Sequence, residues 1–337
     1  MSRPFDSSRL GLSADVWRMT RRWGIVGLLV AALIGCSCVA RPPGTPATVG
    51  PCPMFPADSF WHADVSALPV HPQSSAWVST IGASKGVHAD FGSGLWDGGP
   101  IGIPWTSVGA GGPKVPVSFD YADESDPGPY PIPSDVPIEG GPAADGDRHA
   151  LVVDTAACRL YELYDAHPAG GGWHAGSGAT WDLRSNALRP ATWTSADAAG
   201  LAILPGLVRY EEILAGRIDH PIRFTAPVTQ RSFIWPARHQ AGSTNSASAP
   251  PMGAWFRLKS SVDPARFSGA ARIVVEAMGR HGVILADNGS SWYISGSPDE
   301  RWDNDNLHDL DVLRGSDFEA VDTSSLMVSS DSGRIRS

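Results

Sequence analysis

The chain has 337 residues, 26 of them basic and 35 acidic, with a formal net charge of −9 and a hydrophobic content of 42%. That length and apolar fraction support a sizeable core, and the acidic balance argues against nucleic acid or an anionic lipid surface as partner. The four cysteines show no CxxC spacing, and the chain has no GxSxG, HExxH, Walker or GxGxxG string, so no metal and no cofactor is expected.

Arg18, Arg21 and Arg22 precede an apolar run from Gly24 to Gly35 that is too short to span a bilayer. The run closes on Leu33-Ile34-Gly35-Cys36, which resembles a bacterial lipobox. Residues 1–35 therefore read as a lipoprotein signal, with Cys36 lipidated and the chain exported to the outer face of the cytoplasmic membrane. The alternative is plain secretion with cleavage near Cys38 or Ala40. Thr20-Arg21-Arg22 also partly resembles a twin-arginine export signal. Loss of residues 1–35 removes five arginines and two aspartates and leaves a formal charge of −12. Residues 36–57 are proline-rich and read as a tether. With Cys36 taken by lipid and Cys38 in the tether, Cys52 and Cys158 are expected to form a disulfide.

Residues 58–322 keep one composition and read as a single globular domain, and the serine-rich residues 323–337 read as a flexible tail. Alternation from Val115 to Tyr121 predicts a half-buried strand, and His149–Asp154 with Cys158–Tyr164 a hairpin. Further strands are predicted over Ile222–Thr225, Ser232–Trp235, Trp255–Lys259, Val283–Ala286 and Trp292–Ser295, with a turn at Asp287-Asn288-Gly289-Ser290. Ser268 can cap a helix that runs through Ile273, Val274, Ala277 and Met278 and stops at Gly282. Shorter helices are predicted over Ser74–Ile81 and Ser195–Ala199. The fold these elements predict is mainly β: a jelly-roll-like β-sandwich with one packed helix and long loops. A mixed α+β domain is the alternative.

Polar clusters sit inside aromatic, glycine-rich segments, where loops on a rigid sheet build sites. His88 and Asp90 share one face if their segment is extended, as do Asp182, Arg184 and Asn186. Arg238 and His239 end the string Trp235-Pro236-Ala237-Arg238-His239, and Asp303 and Glu319 supply carboxylates farther on. Each has an ordinary structural reading as well: a turn residue for His88, caps of short helices for Asp182 and for Asp197, and ion pairs for Arg184 and Arg238. Asp303 and Asp305 resemble the opening of a calcium loop that lacks the glycine and terminal glutamate of an EF-hand. Eleven of the 13 tryptophans follow residue 35, several beside a charged residue, as in Trp181-Asp182 and Trp302-Asp303. Sugar rings lie on flat aromatic faces while carboxylates and amides take their hydroxyls, although most tryptophans serve as packing.

The strings HADFGSG (88–94), YADESDPGPY (121–130), SNALRP (185–190), WTSADAAG (193–200), WPARH (235–239), ADNGS (286–290) and RWDND (301–305) resemble a family of exported proteins of high-GC actinobacteria. The resemblance implies one intact domain and assigns no catalytic residue.

The expected function is that of an exported, membrane-anchored, carbohydrate-active protein whose partner is a polysaccharide or envelope glycan. As a glycoside hydrolase it would use paired carboxylates drawn from Asp90, Asp182, Asp303 and Glu319. His88, Arg184, Asn186, Arg238, His239, Trp181 and Trp302 would hold substrate. The alternatives are a non-catalytic glycan- or partner-binding lipoprotein and a structural envelope protein.

Overall fold

The computed structural model describes residues 48–336. The signal segment, Cys36 and tether residues 36–47 lie outside the described residues. Two sheets carry the architecture. Their strands are His88–Asp90 (β1), Trp105–Val108 (β2), Ala150–Asp154 (β3), Arg159–Tyr164 (β4), Ser177–Asp182 (β5), Ile222–Ala226 (β6), Trp255–Leu258 (β7), Val283–Asn288 (β8), Tyr293–Ser295 (β9) and Phe318–Ala320 (β10). The six-stranded sheet has the order β10-β7-β8-β6-β9-β1, and the four-stranded sheet β5-β4-β3-β2. Both are mixed, with β6/β8, β9/β1 and β2/β3 parallel and the other pairs antiparallel.

The protein is mainly β with few helices, as its alternating segments predict. The β3–β4 hairpin forms with full register from Ala150↔Leu163 to Asp154↔Arg159. Alternation along β3 then divides two cores. Leu151 and Val153 join Leu160, Phe224, Trp255 and Leu285 in the main core, whereas Val152 joins Tyr130, Tyr161 and Leu163 in a smaller one. The smaller core lies against a three-stranded sheet of Val117–Phe119, Gly172–Ala175 and His167–Ala169. A strand covered on both faces reads as a continuous apolar run, which is why Ala150-Leu151-Val152-Val153 shows no alternation.

The helix Gly269–Arg280 buries Ala271, Val274, Val275, Ala277 and Met278, the stripe expected of a helix lying on a sheet. Gly282, at φ +75°, ends it in a conformation that glycine adopts without cost. Its start differs from expectation. Ser268 makes no side-chain cap, and Asn306 does that work, its Oδ1 accepting from Ala271 N at 3.2 Å. Ser74–Ile81 is helical as predicted, while 195–199 and 232–235 are turns and bridges. The Asn288-Gly289 turn does not close a hairpin. It carries the chain from β8 past β6 to β9.

Both domain edges extend beyond the sequence expectation. Residues 48–57, read as tether, are packed: Thr48–Val49 pairs with Cys52–Pro53, and Val49, Cys52, Met54 and Phe55 are buried. The expected disulfide is present, joining Cys52 to Cys158 at the β3–β4 turn with the Cα atoms 5.3 Å apart. Residues 323–336, read as a flexible tail, are bonded to the body through Trp235, Arg238 and Asn186. Among the described residues no helix is long and apolar enough to cross a membrane.

Candidate functional site

The sequence-selected residues separate into three groups. Asp182, Asp303 and Glu319 each serve local structure. Asp182 Oδ1 accepts from Arg184 N at 2.9 Å, and Asp303 caps the helix Asn304–His308 by accepting from Asn306 N. Glu319 sits opposite Arg257 across the β7/β10 pair and accepts from its guanidinium at 3.0 and 2.8 Å. Trp181 and Trp302 are buried, and their indole N–H groups donate to Glu162 Oε2 and Ser297 O. A second group gathers around residues 181–190. Arg184 donates to Ala157 O, Asn186 Nδ2 to Asp58 Oδ1, and the buried Arg238 to Arg189 O, while His239 Nδ1 lies 2.8 Å from Ala198 O. The third group is His88 and Asp90, and it adjoins a cluster of a different character.

Strand geometry assembles that cluster. Asp90 on β1 is registered with Ser295 on β9. Phe224 is registered with Ile294, which sets Arg223 of β6 beside Ser295. Thr225 is registered with Asp287 on β8. Cross-strand partners share a face and side chains alternate along each strand, so Asp90, Ser295, Arg223, Thr225 and Asp287 line one face while Phe224 and Ile294 enter the core on the other. Arg223 is the hub and is almost wholly buried. Its Nε and Nη2 reach the two oxygens of Asp197 at 3.0 and 3.2 Å, Nη2 also reaches Asp287 Oδ2 at 2.8 Å, and Nη1 donates to Ser295 Oγ at 2.8 Å.

Two loops complete the site. Asp197, with no exposed side-chain surface, comes from the turn after Trp193, where Ser195 Oγ accepts its backbone N–H. The segment 139–149 brings Glu139 and His149. His149 Nδ1 faces Glu139 Oε2 at 2.5 Å and Nε2 faces the carbonyl of Ala196 at 2.9 Å. Both neighbours are acceptors, so the ring donates from both nitrogens and is an imidazolium. Arg148 shapes this segment by donating to the carbonyls of Pro142, Ala144 and Ala166.

Electrostatics divide these groups. Burial pushes Asp197 up to about 7, with Asp287 adding to the rise and Arg223 opposing it. Burial also raises Asp287 against the pull of Arg223. Burial raises Asp90, with His88 opposing and Glu139 adding. For Glu139 burial alone would raise the carboxyl, but the His149 imidazolium holds it below its ordinary value. Burial alone would lower His149, and Glu139 overrides it to bring the ring to about 9.

A hairpin with an exposed aromatic tip links the Asp90 strand to the Glu139 turn. Two residues after Asp90 the chain enters a hairpin closed by Gly92 N–H bonding to Ile101 O at 3.1 Å, and its tip presents Trp96, 79% exposed. The hairpin leans on the Glu139 turn so closely that a Cβ on Gly99 would lie 2.0 Å from Gly140 O. Asp90 and Glu139 are thus spanned by one short aromatic-tipped element. Among the described residues no group of three or more His, Cys, Asp or Glu side chains is arranged to hold a metal ion.

Of this cluster the sequence pointed to Asp90 and His88 as site residues and to Asp197 only as a neighbour of the Asp182 cluster with a helix-cap reading. Arg223 had a usable signal, being a lone cation inside the apolar run Ile222–Phe224, where it must be paired to be tolerated. Glu139, His149 and Asp287 gave none, since only the fold brings them within reach of one another. The chain matches no family model, no curated protein and no solved structure.

Proposed function

We propose that this is an exported carbohydrate-active protein and that its site is the Arg223 cluster with the Trp96 hairpin. The observation that carries the reading is geometric: Asp90 is registered with Ser295 beside Arg223, and the hairpin that starts two residues later and presents Trp96 packs against the Glu139 turn, with Asp90 raised above its ordinary value and Glu139 held below its own. Two carboxyls driven apart in this way suit glycoside hydrolysis, in which one protonates the leaving oxygen and the other acts as base or nucleophile. In this reading Asp90 is the acid and Glu139 the carboxylate. Trp96 lies under a sugar ring, and Arg223 with Asp197 and Asp287 forms the fixed floor.

The test uses purified residues 40–337 and a panel of bacterial and plant polysaccharides, followed by the appearance of reducing ends. Release that disappears in Asp90→Asn and in Glu139→Gln, with the circular dichroism spectrum unchanged, supports the reading. Release that survives both substitutions overturns the assignment. The exposed Trp96 also favours a second reading, glycan binding without turnover, which would give retardation in affinity gels lost in Trp96→Ala and no release of ends.

A further inference from the structure

Residues 326–336 form a small hairpin, closed by the Met327–Ile335 bridge and by Arg336 N–H donating to Leu326 O at 2.9 Å. It lies across the seam between residues 58–60 and 186–188. The body grips it chiefly through its main chain. Phe60 N–H donates to Gly333 O and Gly333 N–H to Asn186 O, both at 2.7 Å, while Ile335 N–H donates to Asp58 O at 2.8 Å. Trp235 Nε1 donates to Ser332 O at 2.9 Å and Arg238 Nη1 to Ser330 O. Side-chain recognition is sparse: Arg238 Nη2 reads the Asp331 carboxylate at 2.7 Å, and Asp58 meets Arg334 at 2.8 Å.

Extended peptides are held in this manner by grooves that add them to a strand edge. Main-chain bonds supply affinity, and a few side-chain contacts supply selectivity. Part of the groove has partners other than its occupant. Arg238 is buried and anchored by its Nε on Arg189 O at 2.6 Å, and Asn186 Oδ1 is a buried acceptor with no partner, which the hairpin leaves unused. The hairpin brings few apolar anchors: Leu326 and Ile335 are half-buried and Val328 is 47% exposed. An element held by solvent-near bonds with little apolar burial belongs to the part of a fold that opens locally.

We infer that this groove is a peptide-binding site, filled in cis by residues 326–336, that accepts the same segment from a second copy of the chain. The complementarity is complete by construction, because the second copy carries the sequence the groove already fits, with Asp331 for Arg238 and Arg334 for Asp58. Exchange conserves every bond, so it is governed by hairpin opening and by protein concentration.

Two measurements on the full chain test this. In native-state hydrogen exchange the Gly333 and Ile335 amides exchange together, at least ~100-fold faster than the core amides of Leu151 and Leu285. Exchange of those two amides only at the rate of global unfolding overturns the proposal. A fluorescent synthetic peptide of residues 324–336 is then titrated by anisotropy into wild type and Gly333→Pro. The substitution removes the N–H donated to Asn186 O and presses on the Phe60 ring, where a Cβ already comes within 3.0 Å. Gly333→Pro is expected to bind the peptide at least ~10-fold more tightly than wild type, because its own hairpin no longer competes. Adding Arg238→Lys removes that gain. Equal binding to wild type and variant places the peptide elsewhere, and no binding to the variant removes the site.

Discussion

Replacing Arg223 with glutamine isolates what the hub of the cluster contributes. The guanidinium donates twice to Asp197 and once each to Asp287 and Ser295, and Asp197 has no contact with solvent. Stripping one partner from a buried ion pair leaves a stranded charge and costs about 3–5 kcal/mol. For a domain of this size that corresponds to a fall in Tm of roughly 6–12 °C. The loss must also depend on pH. Asp197 is raised to about 7 in the folded protein from its ordinary 3.8, so between those values the native state binds more protons than the unfolded chain. Stability from this group therefore falls as pH rises from about 4 to 7. Without Arg223 the carboxyl rises further, so the deficit of the variant is smallest near pH 5 and grows through pH 8. The double variant Arg223→Gln/Asp197→Asn removes the more deeply buried of the two carboxylates stranded by loss of Arg223, leaving Asp287, and should be more stable than Arg223→Gln alone. Urea denaturation of wild type, both single variants and the double at pH 5, 7 and 8 gives the full cycle. A deficit that does not change with pH, or a double variant no more stable than Arg223→Gln, would refute the reasoning.

Two further outcomes follow from the same interior. His149 stands at about 9 when folded against an ordinary 6.5, so its stabilisation is complete below pH 6.5 and is lost as pH rises through about 9, a change of roughly 3 kcal/mol. Thermal melts of wild type should show that loss, and His149→Gln should be less stable at pH 6.5 and nearly equal to wild type at pH 9.5; a constant gap between the two would contradict the imidazolium assignment. Reduction of the Cys52–Cys158 bond, which spans a sequence separation of 106, should lower stability by about 4–5 kcal/mol on the chain-entropy account. Melting with and without dithiothreitol checks this, and an unchanged Tm after confirmed reduction would refute it.

Period and punctuation carried the sequence reading where structure is local. The β3–β4 hairpin, β6, β7, β8 and the helix Gly269–Arg280 lie within a residue or two of their predicted limits because short apolar runs, the turns that bound them and Gly282 decide them. Pairing across distance was not legible. Nothing in the Asp287–Ser290 turn says that β6 inserts between β8 and β9, and this insertion is what carries Arg223 to Asp287 and Ser295. The serines of residues 323–336 suggested a tail because the partners that hold them, Trp235 and Arg238, lie about ninety residues away in sequence. Trp181 and Trp302 looked like sugar platforms beside their aspartates, yet both are interior and their N–H groups are satisfied by protein acceptors. The exposed ring belongs to Trp96, whose neighbours Gly94, Gly98 and Gly99 build the hairpin that displays it.

The disulfide also fixes where mechanical load enters the domain. A pull delivered along the chain from residues before Thr48 reaches Cys52 after four residues and passes through a covalent bond to Cys158, between the two central strands of the four-stranded sheet. The segment from Pro53 to His88 lies off that path. The load therefore enters the domain at the turn of the β3–β4 hairpin, whose strands have partners on both sides. The Arg223 face itself is carried on the other sheet.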